Sequence, residues 1–224
     1  MTRAPPRRSV NRMVKPDGAA ADDGSEQRIL DAADAVFVRR GTDGARMQEI
    51  AEEAGVNKAL LHYYYRTKDG LAQAVFRRVA SAFMPVIIET MASDLSLEAK
   101  AEKVVQHYLE VFARRPYLPG YLISEVTHHP GRLPPLFAAI AGTQIKKRVL
   151  TKLAHQIEER VRAGTLAPMA PEQFLVNIIS LCVFPFAARP IIMVALGLDA
   201  KGFDRFIAQR RAGLPPFVAR ALRP

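Results

Sequence analysis

The 224-residue chain has no tryptophan and a single cysteine, Cys182, set inside an apolar run at residues 178–184. One cysteine cannot close a disulfide within the chain, so a disulfide framework is excluded and a reducing, cytoplasmic setting is expected. Residues 1–8 are basic but no apolar segment follows them, so no secretory signal is expected. The longest apolar stretch, residues 174–198, is interrupted by Asn177, Pro185, Arg189 and Pro190. A membrane span is therefore not expected there, and no membrane partner is called for. Convincing period-two alternation is missing, which argues against a sheet, and no internal repeat is visible. Also missing are a Gly-rich phosphate loop, a nucleophile elbow, a Cys/His pairing and a paired-carboxylate signature. An enzyme would have no recognisable chemistry here, and no cofactor is implied.

What is present suits one or two compact helical domains. Apolar residues make up 49% of the chain and charged residues 24%, enough to bury a core without wholesale disorder. The net charge is +10, which invites a nucleic-acid reading, but its distribution does not locate a site. Residues 1–80 hold 14 Lys/Arg against 11 Asp/Glu, while residues 81–224 hold 18 against 11. The pattern, not the charge, has to carry the case.

Residues 1–23, with Pro5, Pro6, Pro16, Gly18 and five basic side chains, read as a disordered arm. Order is expected from Gly24-Ser25-Glu26, with Ser25 as a cap and Ile29, Leu30, Ala33, Val36 and Phe37 at helical spacing up to Gly41. Short helices follow at 46–54 and 57–64, then a longer one from Thr67-Lys68-Asp69 towards Met84. Residues 24–84 are the expected first domain and 85–224 the second. Further helices are expected at 97–113, 116–129 and 136–163. An apolar one spans 171–196 with a kink at Pro185 or Pro190, and a last one spans 203–221, bent or split by Pro215 and Pro216. The fold class is all-α.

The informative segment is 47–65. Ile50, Ala51 and Ala54 share one face of the first short helix, and Ala51 is small enough for a second helix to cross closely. Gly55 supplies the positive φ of a tight inter-helix turn, Val56 plugs the corner and Asn57 caps the second helix. Leu61 and Tyr65, four apart, point back to the core. Two short helices joined steeply through such a turn make a helix-turn-helix, whose second helix enters the major groove. Lys58, Ala59, Leu60 and His62 are then left on the outward face. Lys58 can donate to guanine, and Ala59 or Leu60 can meet a thymine methyl. Tyr63, Tyr64, Thr67 and Lys68 suit phosphate contacts, with Asn57 at the helix start beside them. An ordinary helical hairpin explains any one of these residues, but three adjacent tyrosines cannot all be core on a short helix.

Residues 46–75 resemble the DNA-binding domain of the tetracycline-repressor-like (TetR/AcrR) family. Its pattern I-A-x-x-A-G-V-S-K-x-x-L-Y-x-Y-F-x-S-K-x-x-L is met by Ile50-Ala51, Ala54-Gly55-Val56-Asn57-Lys58, Leu61-His62-Tyr63-Tyr64-Tyr65, Thr67-Lys68 and Leu71. The resemblance implies that Gln48, Lys58, Ala59, Leu60 and His62 face bases. It implies likewise that Arg46, Met47, Tyr63, Tyr64, Thr67 and Lys68 face phosphates. Two departures stand out. Arg46-Met47 replaces a capping Thr or Ser, and Leu60 and His62 replace a common Thr and Tyr, which changes the operator read.

For the rest of the chain the resemblance implies a helical domain that binds a small-molecule effector and dimerises through its last long helices. The residues agree, since a helix at 171–196 that is apolar nearly all round demands burial on two sides, one of them a twin subunit. Candidate pocket residues are Tyr108, Phe112, Tyr121, Glu125, Phe137, Phe174, Asn177, Phe184 and Met193. Most stripes of this kind are packing, and Glu125, among Leu122, Ile123 and Val126, needs a partner if buried, an arginine or a cationic ligand. Glu125 with His128 or His129 has metal-ligand spacing, but no second pair completes a site, so no metal is assigned. His107 and His155 are expected to be structural or exposed. The expected function is a one-component repressor that binds a palindromic operator in double-stranded DNA as a homodimer and is released by an effector. The alternatives are an activator of the same fold and a helical scaffold that never meets DNA.

Overall fold

In a computed structural model of the chain, residues 20–135, 138 and 145–224 are described, and among them there is no strand. The helices are α1 (Ala20–Gly44), α2 (Met47–Ala54), α3 (Lys58–Tyr64), α4 (Lys68–Ala92), α5 (Leu97–Arg114) and α6 (Leu118–His128). A 3-10 turn (Pro130–Arg132) follows, then α7 (Ile145–Arg162), α8 (Pro171–Ala187), α9 (Arg189–Ala195) and α10 (Ala200–Ala221). Phe137 and residues 1–19 of the expected arm lie outside the described residues, and residues 20–23, expected to be disordered, already belong to α1. The all-α expectation holds.

Ser25 does not begin a helix: it lies inside α1, where its hydroxyl accepts from the Arg28 guanidinium at 3.1 Å. α1 is interrupted at Gly41, whose φ of 68° is open to glycine at little cost, as its sequence position suggests. Ile29, Ala33, Val36 and Phe37 are fully buried from this helix. α4 does not stop at Met84 but continues through Pro85 to Ala92. It is long and apolar, yet it serves as the central helix of the core, with Leu71, Val75, Val79, Phe83 and Ile87 buried and Arg78 paired to Asp31 of α1 at 2.8 Å.

The expected kink falls at the Pro190 end of the apolar run, while the other prolines are accommodated inside their helices. Pro185 leaves α8 intact; the break comes at Ala188, just before Pro190, and α9 leaves at 73° to α8. Pro215 and Pro216 do not split α10. A proline inside a helix frees the carbonyl four residues earlier. Pro185 thus frees Leu181 O, which accepts from the Arg210 guanidinium at 2.8 and 3.2 Å. Pro215 frees Arg211 O, which accepts from the Gln106 amide at 3.2 Å. Side chains from neighbouring helices replace the missing donors, so the helices continue.

One buried charge has a measurable consequence. Lys100 is completely buried, with Nζ donating to Met91 O at 2.9 Å and Gln156 Oε1 at 2.6 Å. Burial, reinforced by the nearby Lys152 charge, lowers its pKa to about 8. Below pH 8 folded and unfolded chains both carry the proton, so the burial cost is complete. Between pH 8 and about 10.4 only the unfolded chain keeps it, and stability rises with pH. Urea unfolding should show the wild type gaining on a Lys100→Met variant by about 1.4 kcal/mol per pH unit in that window. Parallel pH curves for the two proteins would refute the assignment.

Candidate functional site

The site begins at the turn between α2 and α3. Ile50, Ala51 and Ala54 are buried, and Gly55 at φ 65° points its N–H at Ala51 O and Glu52 O. Val56 N–H donates to Ala51 O at 3.0 Å, closing the corner. Asn57 caps α3 by accepting from Leu60 N at 2.7 Å, and Leu61 carries the helix into the core with no exposed surface. At the far end the Tyr65 hydroxyl donates to Glu26 Oε1 at 2.7 Å, so α3 is tied back to α1. Burial and that carboxylate push the Tyr65 pKa upward. Arg46 occupies the N-cap of α2 without a side-chain cap bond, as the departure from Thr or Ser implies.

These constraints leave a defined outer face. Lys58, Ala59 and His62 are exposed on α3, Leu60 is half-buried, and Gln48 is exposed on α2 with its amide on Glu52 Oε1 at 2.8 Å. Tyr63 is 74% exposed and meets Tyr64 edge-on with ring centroids 5.5 Å apart. A tyrosine that open on a three-helix unit has no packing reason to be there. Arg46 and Thr67 are exposed too, and Met47 is half-buried. Thr67 caps α4 through Gly70 N at 3.1 Å. Lys68 Nζ donates to Asp43 O at 2.9 Å and Ala45 O at 3.1 Å, binding the start of α4 to the turn before α2. Asn57 is the expected cap of α3, while Thr67 and Lys68 have structural duties that spacing alone did not reveal. Arg66, exposed between α3 and α4, was passed over; a cation between Tyr65 and Thr67 was the available signal.

The family model for bacterial regulatory proteins of the tetR family matches residues 29–75, which cover the end of α1, the helix-turn-helix and the start of α4. Residues 29–75 of the chain thus form a DNA-binding domain of the tetR-family type. The HTH-type transcriptional regulator RutR of Escherichia coli (strain K12) is 27% identical over 150 residues, 67% of this chain and 68% of RutR. The crystal structure of the transcriptional regulator SCO4942 from Streptomyces coelicolor superposes with a TM-score of 0.62 at 28% identity, covering 89% of this chain and 99% of that one. AibR, solved with isovaleryl coenzyme A and operator DNA, has a TM-score of 0.54 at 18% identity, over 72% of this chain and 85% of its own, and shares the fold. A chain built around this domain is a DNA-binding transcriptional regulator.

Its second domain contains an apolar cavity of about 240 Å³ between α4, α5, α6 and α8. Tyr108 and Phe112, both expected as pocket residues, line it. The other candidates are dispersed. Phe174 and Asn177 line a separate groove of about 310 Å³ between α8 and α10. Phe184 is 62% exposed, Met193 is half-buried on α9, and Tyr121 is buried on α6, where burial raises its pKa to about 12.

Glu125 is not a pocket group. Its carboxylate accepts from the Thr42 hydroxyl and from the Arg132 guanidinium, whose other nitrogen reaches Asp69 in the first turn of α4. A buried carboxylate needs a donor, and the arginine foreseen for it is Arg132. His128, instead of joining Glu125 around a metal, places Nδ1 on Ser124 O at 2.8 Å. His107 is half-buried with Nε2 on Phe83 O at 3.1 Å, and His155 is exposed.

Proposed function

We propose that this regulator is a repressor that binds a palindromic operator as a homodimer and releases it when a small molecule enters the second domain. The observation that carries the DNA-reading half is the outer face of α3. Lys58, Ala59 and His62 stand clear of the core on a helix whose other side is fixed by Leu61, Asn57 and Tyr65. Such a face, about two turns long, fits the major groove, with Lys58, Ala59, Leu60, His62 and Gln48 turned to bases. Arg46, Met47, Asn57, Tyr63, Tyr64, Thr67 and Lys68 border it on the phosphate side. The first domain, 24–84 in this reading, shares α4 with the second, 85–224, so displacement of one end of α4 reaches the other. The protein acts in the cytoplasm, where its DNA is.

The dimer reading draws support from α8 and α10. Val176 and Phe184 of α8 and Phe217 of α10 are more than half exposed, and Ser180 and Gly213 beside them are small enough for close helix approach. A two-fold pairing of these two helices would cover the groove between them and give the second side of α8 its burial. AibR, held in its structure with both an acyl coenzyme A and operator DNA, shows that this fold accommodates both in that protein.

The test is binding of the full chain to the DNA upstream of its own gene across a salt series. Operator binding should weaken with a log–log slope near 0.9 per phosphate contacted. Lys58→Ala is expected to cost about 1–3 kcal/mol at one base position and to leave random-sequence affinity nearly unchanged. Deleting the gene should raise transcription from the bound promoter; a fall would instead make the protein an activator. A chain that binds no duplex at low salt would be the helical scaffold.

A further inference from the structure

We infer that the ligand of the cavity between α4, α5, α6 and α8 is a neutral, largely apolar molecule of about ten non-hydrogen atoms carrying at most one hydrogen-bonding group. This deepens the effector reading and rests on it only for the consequence at DNA. The walls are Phe83 of α4, Tyr108 and Phe112 of α5, Leu122 of α6 and Val183 of α8, with no charged side chain among the described lining residues. Phe83, Tyr108 and Phe112 form one aromatic surface with centroids 5.3 to 6.3 Å apart.

Charge excludes the ionic alternatives. A carboxylate or ammonium group placed here would lose its water without gaining a counter-ion, a cost that a few apolar contacts do not offset. The charged groups close to the cavity are already occupied: Glu125 is held by Thr42 and Arg132 on another side of α6. Among the described lining residues the one side chain with a hydrogen-bonding group is Tyr108, whose hydroxyl has no hydrogen bond among the described residues. Burial raises its pKa, so it stays a neutral donor at physiological pH. It can serve a single hydroxyl or carbonyl oxygen of the ligand. Size follows from volume. An apolar cavity of about 150 Å³ takes benzene, so about 240 Å³ takes a molecule about half as large again.

The experiment titrates the purified full-length protein with 1-octanol, octanoate and octylammonium, three probes of one length that differ in head-group charge. Calorimetry should give 1-octanol a dissociation constant at least tenfold below those of the two ions. Val183→Phe, which fills the cavity, should weaken 1-octanol at least tenfold while circular dichroism stays as in the wild type. If Val183→Phe unfolds the chain, Leu122→Phe serves in its place. Octanoate or octylammonium binding as tightly as 1-octanol would overturn the inference, and so would no binding by any probe or 1-octanol binding unaffected by the filled cavity. If 1-octanol binds in the cavity but leaves operator affinity unmoved, the ligand class stands and the effector reading falls.

Discussion

Replacing Arg132 by alanine is expected to lower the unfolding free energy by roughly 3–5 kcal/mol, the cost of leaving a buried charge without its partner. The size of the effect is set by Glu125. Its side chain is 4% exposed, and of its two oxygens one faces Thr42 and the other faces Arg132. Loss of the guanidinium leaves a desolvated carboxylate with only a neutral hydroxyl beside it. The second arm of Arg132 contributes little by comparison, because Asp69 is 74% exposed and an ion pair in that position is worth at most about 1 kcal/mol. Asp69→Asn should therefore cost under about 1 kcal/mol in the same denaturant titration. Glu125→Leu combined with Arg132→Met should recover most of the loss, since an apolar pair of similar volume removes the stranded charge. If Arg132→Ala and Asp69→Asn cost the same, the ion pair with Glu125 is not what holds this corner.

That corner also shows where sequence reading ended. The need of Glu125 for a cation was legible from its apolar neighbours, but not which cation. Arg132 is seven residues away, across the break at Pro130-Gly131, and Thr42 is 83 residues away, so only the fold could supply the pairing. The helix-turn-helix was legible because its determinants are local. Gly55, Asn57 and Leu61 act on neighbours within four residues, and a pattern of fixed spacing records such effects completely. That α8 and α10 continue through their inner prolines was not legible, for the opposite reason. The donor that rescues Arg211 O, Gln106, comes from 105 residues away, and the donor for Leu181 O, Arg210, from 29. Local rules count the hydrogen bond that proline removes and have no access to its replacement.

Periodicity had a similar limit in the second domain. It identifies which residues share a face of a helix, but not which of two apolar faces meets the protein's own core. On α8 the apolar residues run all round, and Phe184 was grouped with Tyr108 and Phe112. In the structure Val183, one residue earlier, lines the cavity, while Phe184 points away from it and is 62% exposed. The error is informative, because a large aromatic side chain left that open, on a helix where Val176 is also more than half exposed, is a cost unless something covers it.

The proposed cover is a second copy of the chain, and its removal should have the largest effect on function. Phe217→Glu places a carboxylate at the centre of the exposed face of α10, and two-fold symmetry places it there twice in a dimer. Both carboxylates would be desolvated on association with no cation opposite, while in the monomer the position is 51% exposed and tolerates charge. The fold of each chain should survive, because the buried residues of α10, Phe203, Ile207, Leu214 and Val218, are left unchanged. Sedimentation at micromolar concentration should then give the 24.8 kDa mass of one chain, where the wild type gives twice that. Operator affinity should fall about 100-fold or more, since one recognition helix loses the effective concentration supplied by the other. Random-sequence binding, which needs only the basic surface of one copy, should fall far less. A Phe217→Glu protein that remains dimeric would move the interface away from α8 and α10. A monomer that still holds the palindrome with wild-type affinity would show that the two half-sites are not read together.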